Sequence, residues 1–132
     1  MNYLLDTHTL IWAITDDERL SSIVHKTLES SENTIFVSAI SFWEVALKFP
    51  SGKLELQGFL PEDLPKLSLQ SGFQLLPLSP EESSTFHKLA LTNHKDPFDR
   101  MLIWQALHRD MVFVTKDKHI AQYGIIGLKT LW

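Results

Sequence analysis

Four acidic residues, Asp6, Glu44, Asp99 and Asp117, lie far apart in this chain, and each stands next to an apolar run typical of a strand or a buried helix. Acidic side chains this distant act together only if the fold gathers them. A pocket of several carboxylates stays ionised at neutral pH only with a counter-charge, and a divalent cation bound through oxygen atoms is the usual one. The pattern therefore indicates metal-assisted hydrolysis of a phosphodiester.

Each of these acids also has a purely structural explanation. Asp6 precedes a helix and would serve as its N-cap, while Asp99 falls in the first turn of another helix, where an acid is favourable. Glu44 is four residues before Lys48, a spacing that gives a weak surface ion pair. Asp117 suits a turn after a strand. The joint explanation is favoured over the four separate ones, because parallel strands would carry all four acids to one edge of a sheet.

The elements that must position these acids follow from the hydrophobic periodicity. Strands are predicted at residues 3–5, 34–37, 73–78 and 111–115, with a final edge strand at 129–132. Helices are predicted at residues 9–14, 20–28, 38–49, 61–70, 80–91 and 97–109. Strands that alternate with helices imply right-handed βαβ units, an α/β fold and a mostly parallel sheet covered on both faces.

The predicted elements give the four acids a common location. In open α/β sheets, ligands bind beyond the carboxyl ends of the strands, at the point where the strand order reverses. Asp6 and Asp117 come just after two predicted strands, while Glu44 and Asp99 fall in the first turn or two of predicted helices. We therefore expect one site at this edge of the sheet.

The composition excludes several classes of protein. At 132 residues the chain has the length of one domain, expected to span residues 1–132, and its 44% hydrophobic and 21% charged residues are ordinary for a globular protein. The net charge of −4 argues against a simple nucleic-acid binder, which relies on Lys and Arg. It argues less against a nuclease, because bound metal ions supply positive charge where the phosphate lies.

The sequence lacks the residues that several other chemistries require. The chain has no cysteine, which excludes disulfides, thiolate nucleophiles and zinc–cysteine sites. It has no P-loop, no G-x-G-x-x-G, no G-x-S-x-G and no H-E-x-x-H pair, although His8 and His94 lie near the acids and within reach of a substrate. No apolar stretch approaches a membrane span and no cationic leader precedes one, so we expect a cytoplasmic protein with no membrane association.

Taken together, the motifs around the acids resemble those of PIN-domain ribonucleases of the VapC toxin type, over nearly the whole length of the chain. Each motif is weak alone, but four in order at family-like intervals are specific. The motifs are Leu4-Leu5-Asp6-Thr7-His8, Ser38-Ala39-Ile40-Ser41-Phe42-Trp43-Glu44, His94-Lys95-Asp96-Pro97-Phe98-Asp99-Arg100 and Val114-Thr115-Lys116-Asp117.

The resemblance implies a three-layer α/β/α sandwich on a parallel sheet, and Mg²⁺ or Mn²⁺ held by Asp6, Asp99 and Asp117 with Glu44 completing the set. It also implies that Thr7 and Thr115 orient ligands through hydrogen bonds. Proteins of this type commonly form homodimers and are neutralised by a co-transcribed antitoxin. Asp96 is an additional acid that only part of the wider family carries, and it would cap a helix or hold a metal-bound water.

The activity expected on this basis is endonucleolytic cleavage of RNA by a metal-activated water. Lys48, Lys95 and Arg100 are near enough in sequence to the acids to bind flanking phosphates. A phosphatase that forms an aspartyl phosphate is a poor alternative, because it needs a second acid two residues after Asp6, where this chain has His8. The other alternative is a catalytically inactive interaction or regulatory module with the same fold, and the presence of all four acids argues against it.

Overall fold

Five short parallel strands form the centre of the molecule, in the order β3-β2-β1-β4-β5. The computed structural model describes all residues from 1 to 132. The strands are β1 (Asn2–Leu5), β2 (Thr34–Ser38), β3 (Gln74–Leu76), β4 (Val112–Val114) and β5 (Thr130–Leu131). The α-helices are α1 (Thr7–Thr15), α2 (Ser22–Glu29), α3 (Ala39–Lys48), α4 (Leu64–Gln70), α5 (Pro80–Thr85) and α6 (Pro97–His108). Short 3₁₀ segments join them, at Asp17–Arg19, Phe49–Ser51, Pro61–Asp63, Phe86–Lys88 and Lys118–Ile126.

The sheet separates two hydrophobic cores. Successive side chains of a strand point to opposite faces, so Leu4 packs into one core and its neighbour Leu5 into the other. The first core contains side chains of α6 and of the Lys118–Ile126 segment. The second contains side chains of α1 and α2. The prediction of a three-layer α/β/α fold with a parallel sheet is therefore confirmed.

Side-chain caps define where the helices begin. Asp6 is the N-cap of α1, and Ser79 forms a reciprocal capping box with Glu82 at the start of α5. Asp96 is the N-cap of α6, where its carboxylate accepts hydrogen bonds from the backbone N–H groups of Phe98 and Asp99. The capping role foreseen for Asp96 is thus present in the structure.

Two elements are shorter than predicted. The helix expected at residues 80–91 ends at Thr85 and continues only as a 3₁₀ turn to Lys88. The carbonyl oxygens of Leu89 and Ala90 instead accept hydrogen bonds from the Arg100 side chain, so this segment turns away from a helix. The strand expected at 73–78 pairs only through Gln74–Leu76, because Pro77 has no N–H to donate.

The remaining predicted elements are present with shifts of a few residues at their ends. The edge strand predicted near the end of the chain is β5, which pairs with β4. No helix combines the length and apolarity needed to cross a bilayer.

Candidate active site

The strand order creates a crevice between the carboxyl ends of β1 and β4. From β1 the chain passes to β2 and β3 on one side, then crosses back to β4 on the other side of β1. The segments that leave β1 and β4 therefore diverge at this point. Asp6 follows β1 directly, and Thr115 to Asp117 follow β4. The backbone N–H of Asp6 donates to the Val114 carbonyl at 3.1 Å, which ties the two strand ends together.

Asp6 is held in one orientation at the bottom of this crevice. It is only 7% exposed. One carboxylate oxygen accepts the Thr9 backbone N–H at 3.0 Å, and the other accepts the Thr115 hydroxyl at 2.5 Å. Burial raises the pKa of Asp6, although these hydrogen bonds and the charge of His8 partly offset the effect. An ionised carboxylate at this position therefore favours a nearby cation.

Glu44 lies deeper, on α3, and already has partners for both of its oxygens. It is 3% exposed. Oε1 accepts the Thr7 hydroxyl at 2.6 Å, and that hydroxyl is also 3.0 Å from the hydroxyl of Ser41. Oε2 pairs with Lys48 one helical turn later. Direct metal ligation by Glu44 therefore requires Lys48 to move, while the expected partnership of Glu44 and Lys48 is present.

Lys48 lies among several acids. Burial alone would lower the pKa of its ammonium group, but the hydrogen bond to Glu44 and the negative charges of Glu44, Asp96 and Asp99 together raise it. Its ammonium also lies 5.5 Å from the centre of the Phe98 ring. Lys48 is thus a counter-charge built into the acidic cleft in the absence of a metal.

Asp99 projects from the first turn of α6 toward the other acids. Burial and then the charge of Asp96 raise its pKa to about 6, with smaller contributions in the same direction from Asp6 and Glu44. A hydrogen bond with His94, 3.2 Å between Nε2 and Oδ2, acts in the opposite sense. Asp6, Glu44 and Asp96 thus lie close enough to Asp99 for their charges to disfavour its ionisation.

Asp117 completes a set of donor atoms that suits a divalent cation. Its side chain is at the exposed rim, with Oδ1 accepting the backbone N–H of His119 at 2.9 Å. One carboxylate oxygen from each of Asp99 and Asp117 and one ring nitrogen of His94 all lie within 4.8 Å of one another. Oxygen-rich sets of this kind match hard cations such as Mg²⁺ and Mn²⁺. The residues present therefore fit the expected metal.

The structure thus brings Asp6, Asp99 and Asp117 to one edge of the sheet in two overlapping groups. Glu44 lies outside both and is paired with Thr7 and Lys48. Asp6 and Asp117 line a cavity of about 340 Å³ together with His8, Trp12 and Lys116. Asp117 also belongs to the group formed with Asp99 and His94. Thr7 donates a hydrogen bond to the Glu44 carboxylate, and Thr115 donates one to the Asp6 carboxylate.

The Arg100 side chain is buried and does not lie where a phosphate could contact it. It is 6% exposed, and its guanidinium donates to the Tyr123 hydroxyl at 2.9 Å and to the carbonyls of Leu89 and Ala90 at 3.2 Å each. Because successive helical residues are about 100° apart around the axis, Asp99 faces the cleft while Arg100 faces the core. The expected phosphate contact of Arg100 is not supported, whereas Lys95 is exposed to solvent.

One residue of the site was missed in the sequence. The Tyr123 hydroxyl lies 3.1 Å from His94 Nδ1, and so connects Arg100 to the ring that contacts Asp99. Tyr123 is 2% exposed and belongs to the 3₁₀ segment Lys118–Ile126, where no element was predicted from the sequence. Only the general rule that a buried Tyr hydroxyl needs a partner could have indicated it.

Comparisons with known proteins agree with this geometry. The family model described as "PIN domain" matches residues 3–126. Ribonuclease VapC22 of Mycobacterium tuberculosis (strain ATCC 25618 / H37Rv) is 26% identical over 98% of this chain and 97% of its own length.

Solved structures extend the agreement to the fold. VapBC2 from Rickettsia felis, crystallised with a DNA fragment from its promoter, superposes with a TM-score of 0.65 at 18% identity, covering 99% of this chain and 98% of that one. DNA-bound VapBC from Salmonella typhimurium superposes with a TM-score of 0.63 at 17% identity, covering 99% of this chain and 97% of that one. The likeness to these structures establishes the fold, and the family model spans nearly all of the sequence. This chain belongs to the PIN domain family.

Proposed function

We propose that this chain is a metal-dependent endoribonuclease that acts as the toxin of a toxin–antitoxin pair. The observation that carries the proposal is the convergence of Asp6, Asp99 and Asp117 at the β1–β4 crevice, with donor atoms of the last two close enough to share one ion. The name of the curated relative, Ribonuclease VapC22, supports the same class of activity.

In the proposed enzyme, Asp6, Asp99 and Asp117 would hold Mg²⁺ or Mn²⁺, which would supply positive charge at the scissile phosphate and lower the pKa of a bound water. Thr115 keeps the Asp6 carboxylate aimed into the cleft. Thr7 does the same for Glu44, whose negative charge adds to the field of the site. Lys48 neutralises Glu44, and we propose that it and Lys116 contact phosphates flanking the cleaved bond.

A larger groove beside the cleft suits a single RNA strand. It has a volume of about 650 Å³ and is lined in part by Arg19, Lys48 and Lys53, with Trp12 and His8 at its boundary with the smaller cavity of Asp6 and Asp117. Trp12 is partly exposed here, and cationic side chains next to an accessible aromatic ring are the usual means of holding a single strand without reading its sequence. We propose that the substrate enters the cleft along this groove.

The decisive experiment compares RNA cleavage by the purified protein with Mn²⁺ or Mg²⁺, with a chelator, and with the Asp99→Asn variant. Cleavage should need the metal and should fall by at least about a hundredfold in the variant. Asp110→Asn is a matched control, since Asp110 is an exposed acid of the α6–β4 turn whose left-handed backbone Asn tolerates. Cleavage that survives both chelation and Asp99→Asn contradicts the proposal.

A second measurement separates the enzyme from a binding module with the same fold. Mn²⁺ should raise the thermal stability of the native protein, because a ligand that binds only the folded state stabilises it. Mn²⁺ binding without any cleavage of a panel of structured and single-stranded RNAs would favour an inactive interaction module.

We further propose a cognate antitoxin and a homodimer as the partners of this chain. The chain exposes several large apolar side chains on α3 and α4 and between them: Trp43, Leu47, Leu60 and Leu69. Surfaces of this kind are commonly covered by protein. Light scattering of the purified chain should give a dimer mass. Co-expression with a small reading frame encoded next to it should yield a complex that no longer cleaves RNA.

A further inference from the structure

A connected row of polar side chains runs from the core to the Asp99 carboxylate. Arg100 Nη1 donates to the Tyr123 hydroxyl at 2.9 Å, that hydroxyl is 3.1 Å from His94 Nδ1, and His94 Nε2 is 3.2 Å from Asp99 Oδ2. Thr92 supports the row, since its hydroxyl is 3.1 Å from the Tyr123 hydroxyl and accepts the His94 backbone N–H at the same distance. Tyr123 and His94 therefore each have a hydrogen-bond partner on both sides.

The groups at the two ends of the row determine which atoms donate and which accept its hydrogen bonds. An Arg guanidinium only donates, so the Tyr123 oxygen accepts from it. An ionised carboxylate only accepts, so His94 Nε2 must carry a proton when Asp99 is ionised. The Tyr123 hydroxyl can donate to Nδ1 or accept from it, and in both cases the Nε2 proton remains directed at Asp99.

This arrangement decides between two roles for His94. Its ring nitrogen lies within 4.8 Å of carboxylate oxygens of Asp99 and Asp117, a spacing that would also suit a third metal ligand. A ring nitrogen that carries a proton has no lone pair to offer an ion. The contacts with Tyr123 and Asp99 therefore favour a role beside the metal site over a role as a ligand in it.

We propose that Arg100, Tyr123 and His94 form a positioning relay that fixes the Asp99 carboxylate for metal binding, with His94 donating from Nε2 and not ligating the ion. The inference rests on the proposed role of Asp99 as a metal ligand. The relay gives Arg100 a function in place of the phosphate contact expected from its sequence position. It also explains why a buried Arg and a buried Tyr lie behind an acidic site. Partners that orient a ligand in this way commonly change metal affinity by about 10- to 100-fold.

The first test measures Mn²⁺ affinity by calorimetry, which is independent of RNA cleavage. His94→Ala should weaken binding by about tenfold or more. His94→Gln should retain most of the affinity, because its side-chain amide can place an N–H near the position of Nε2. Tyr123→Phe should weaken binding several-fold by freeing the ring. His87→Gln is the matched control, since His87 is exposed on the Phe86–Lys88 turn and should leave the affinity unchanged.

The second test reads the protonation of the His94 ring directly, by ¹⁵N NMR of the wild-type protein loaded with diamagnetic Mg²⁺. Nε2 should remain protonated in the loaded protein. Loss of the Nε2 proton on Mg²⁺ binding, or equal damage by His94→Gln and His94→Ala, would overturn the relay. These results do not depend on whether Tyr123→Phe folds. A wild-type protein that binds no divalent metal would instead refute the proposed function itself.

Discussion

The Thr115 hydroxyl donates a 2.5 Å hydrogen bond to the Asp6 carboxylate, across 109 residues of sequence. The same hydroxyl oxygen accepts the backbone N–H of Asp117 at 3.1 Å. One side chain at the end of β4 thus sets the orientation of the acid that follows β1 and the path of the chain that leads to a second acid. Because both acids are proposed metal ligands, the relationship has a measurable consequence.

Thr115→Val should weaken Mn²⁺ binding by about tenfold and reduce RNA cleavage accordingly. Valine keeps the shape and the strand propensity of threonine but leaves Asp6 without its side-chain donor. Calorimetry and a cleavage assay would measure the two effects. Thr130→Val, on the neighbouring strand β5 and exposed, is the control and should behave like the native protein. Equal metal affinities in all three proteins would show that this hydrogen bond has no part in metal binding.

Lys48→Met should destabilise the metal-free protein, because Glu44 would be left as a buried charge without its counter-ion. The loss should be roughly 2 kcal/mol, below the ~3–5 kcal/mol of a fully buried pair, since Lys48 reaches solvent. Urea unfolding at pH 7 would measure it, with the exposed Lys26→Met as the control.

The Lys48→Met variant also allows the effect of Mn²⁺ on stability to be compared with that in the native protein. Mn²⁺ should raise the melting temperature of Lys48→Met more than that of the native protein, because the metal supplies the missing positive charge. Adding Glu44→Gln should restore stability without metal, because the unpaired charge is then absent. A double variant as unstable as Lys48→Met would rule out this explanation.

Metal affinity should fall as the pH is lowered through about 6, the pKa to which burial and Asp96 raise Asp99. Below that pH a proton must leave the carboxylate before a metal binds, so the affinity should drop by about tenfold per pH unit. Calorimetry in buffers of different ionisation enthalpy would detect the released proton. In Asp99→Asn the residual binding should lose this dependence near pH 6.

The same shift acts on the stability of the metal-free protein. Asp99 binds its proton more tightly in the folded chain than in the unfolded chain, where its pKa has the ordinary value of 3.8. Its contribution to stability is therefore fully present below about pH 4 and is lost as the pH rises through 6. Asp99→Asn should stabilise the metal-free protein at pH 7, and urea unfolding at pH 5 and 7 would measure the change.

The contribution of Glu82 to stability should have the opposite dependence on pH, in a more acidic range. Burial would raise its pKa, but hydrogen bonds from Arg109, Ser79 and Gln105 outweigh burial and lower the pKa to about 2. Its stabilising effect, up to about 3 kcal/mol, should be complete above pH 4.5 and be lost as the pH falls toward 2.

Glu82→Gln tests this directly by urea unfolding at pH 7 and pH 3. The variant should be less stable than the native protein at pH 7, and the difference should shrink at pH 3. Glu81→Gln lies in the same first turn but is exposed, so it should change little at either pH. A constant difference between Glu82→Gln and the native protein would assign the effect to packing.

The gathering of the acids was predictable because it follows from topology. Once alternating strands and helices imply a parallel sheet, residues that follow β1 and β4 must meet at one edge, whatever their separation in sequence. The role of Arg100 was not predictable in this way. Sequence proximity to Asp99 suggested a shared function, but neighbouring positions of a helix face different directions, and only packing decides which one faces the core.

The relay was hidden for a related reason. Tyr123 lies in a 3₁₀ segment that was not predicted, and nothing in its local sequence placed it near His94, 29 residues earlier. The early end of the helix after Thr85 has a related origin, since the carbonyls of Leu89 and Ala90 accept hydrogen bonds from the side chain of Arg100, in the next helix. Hydrogen bonds between remote side chains leave no local signature.

The indole of Trp12 borders both the acidic cavity and the larger groove, with Arg19 at 5.4 Å and Lys116 at 5.8 Å from the ring centre. Indole emission responds to nearby charge and to solvent access. We therefore expect the emission of Trp12 to change when an ion or a nucleotide binds in the cleft. Binding can then be followed by tryptophan fluorescence without attaching a dye.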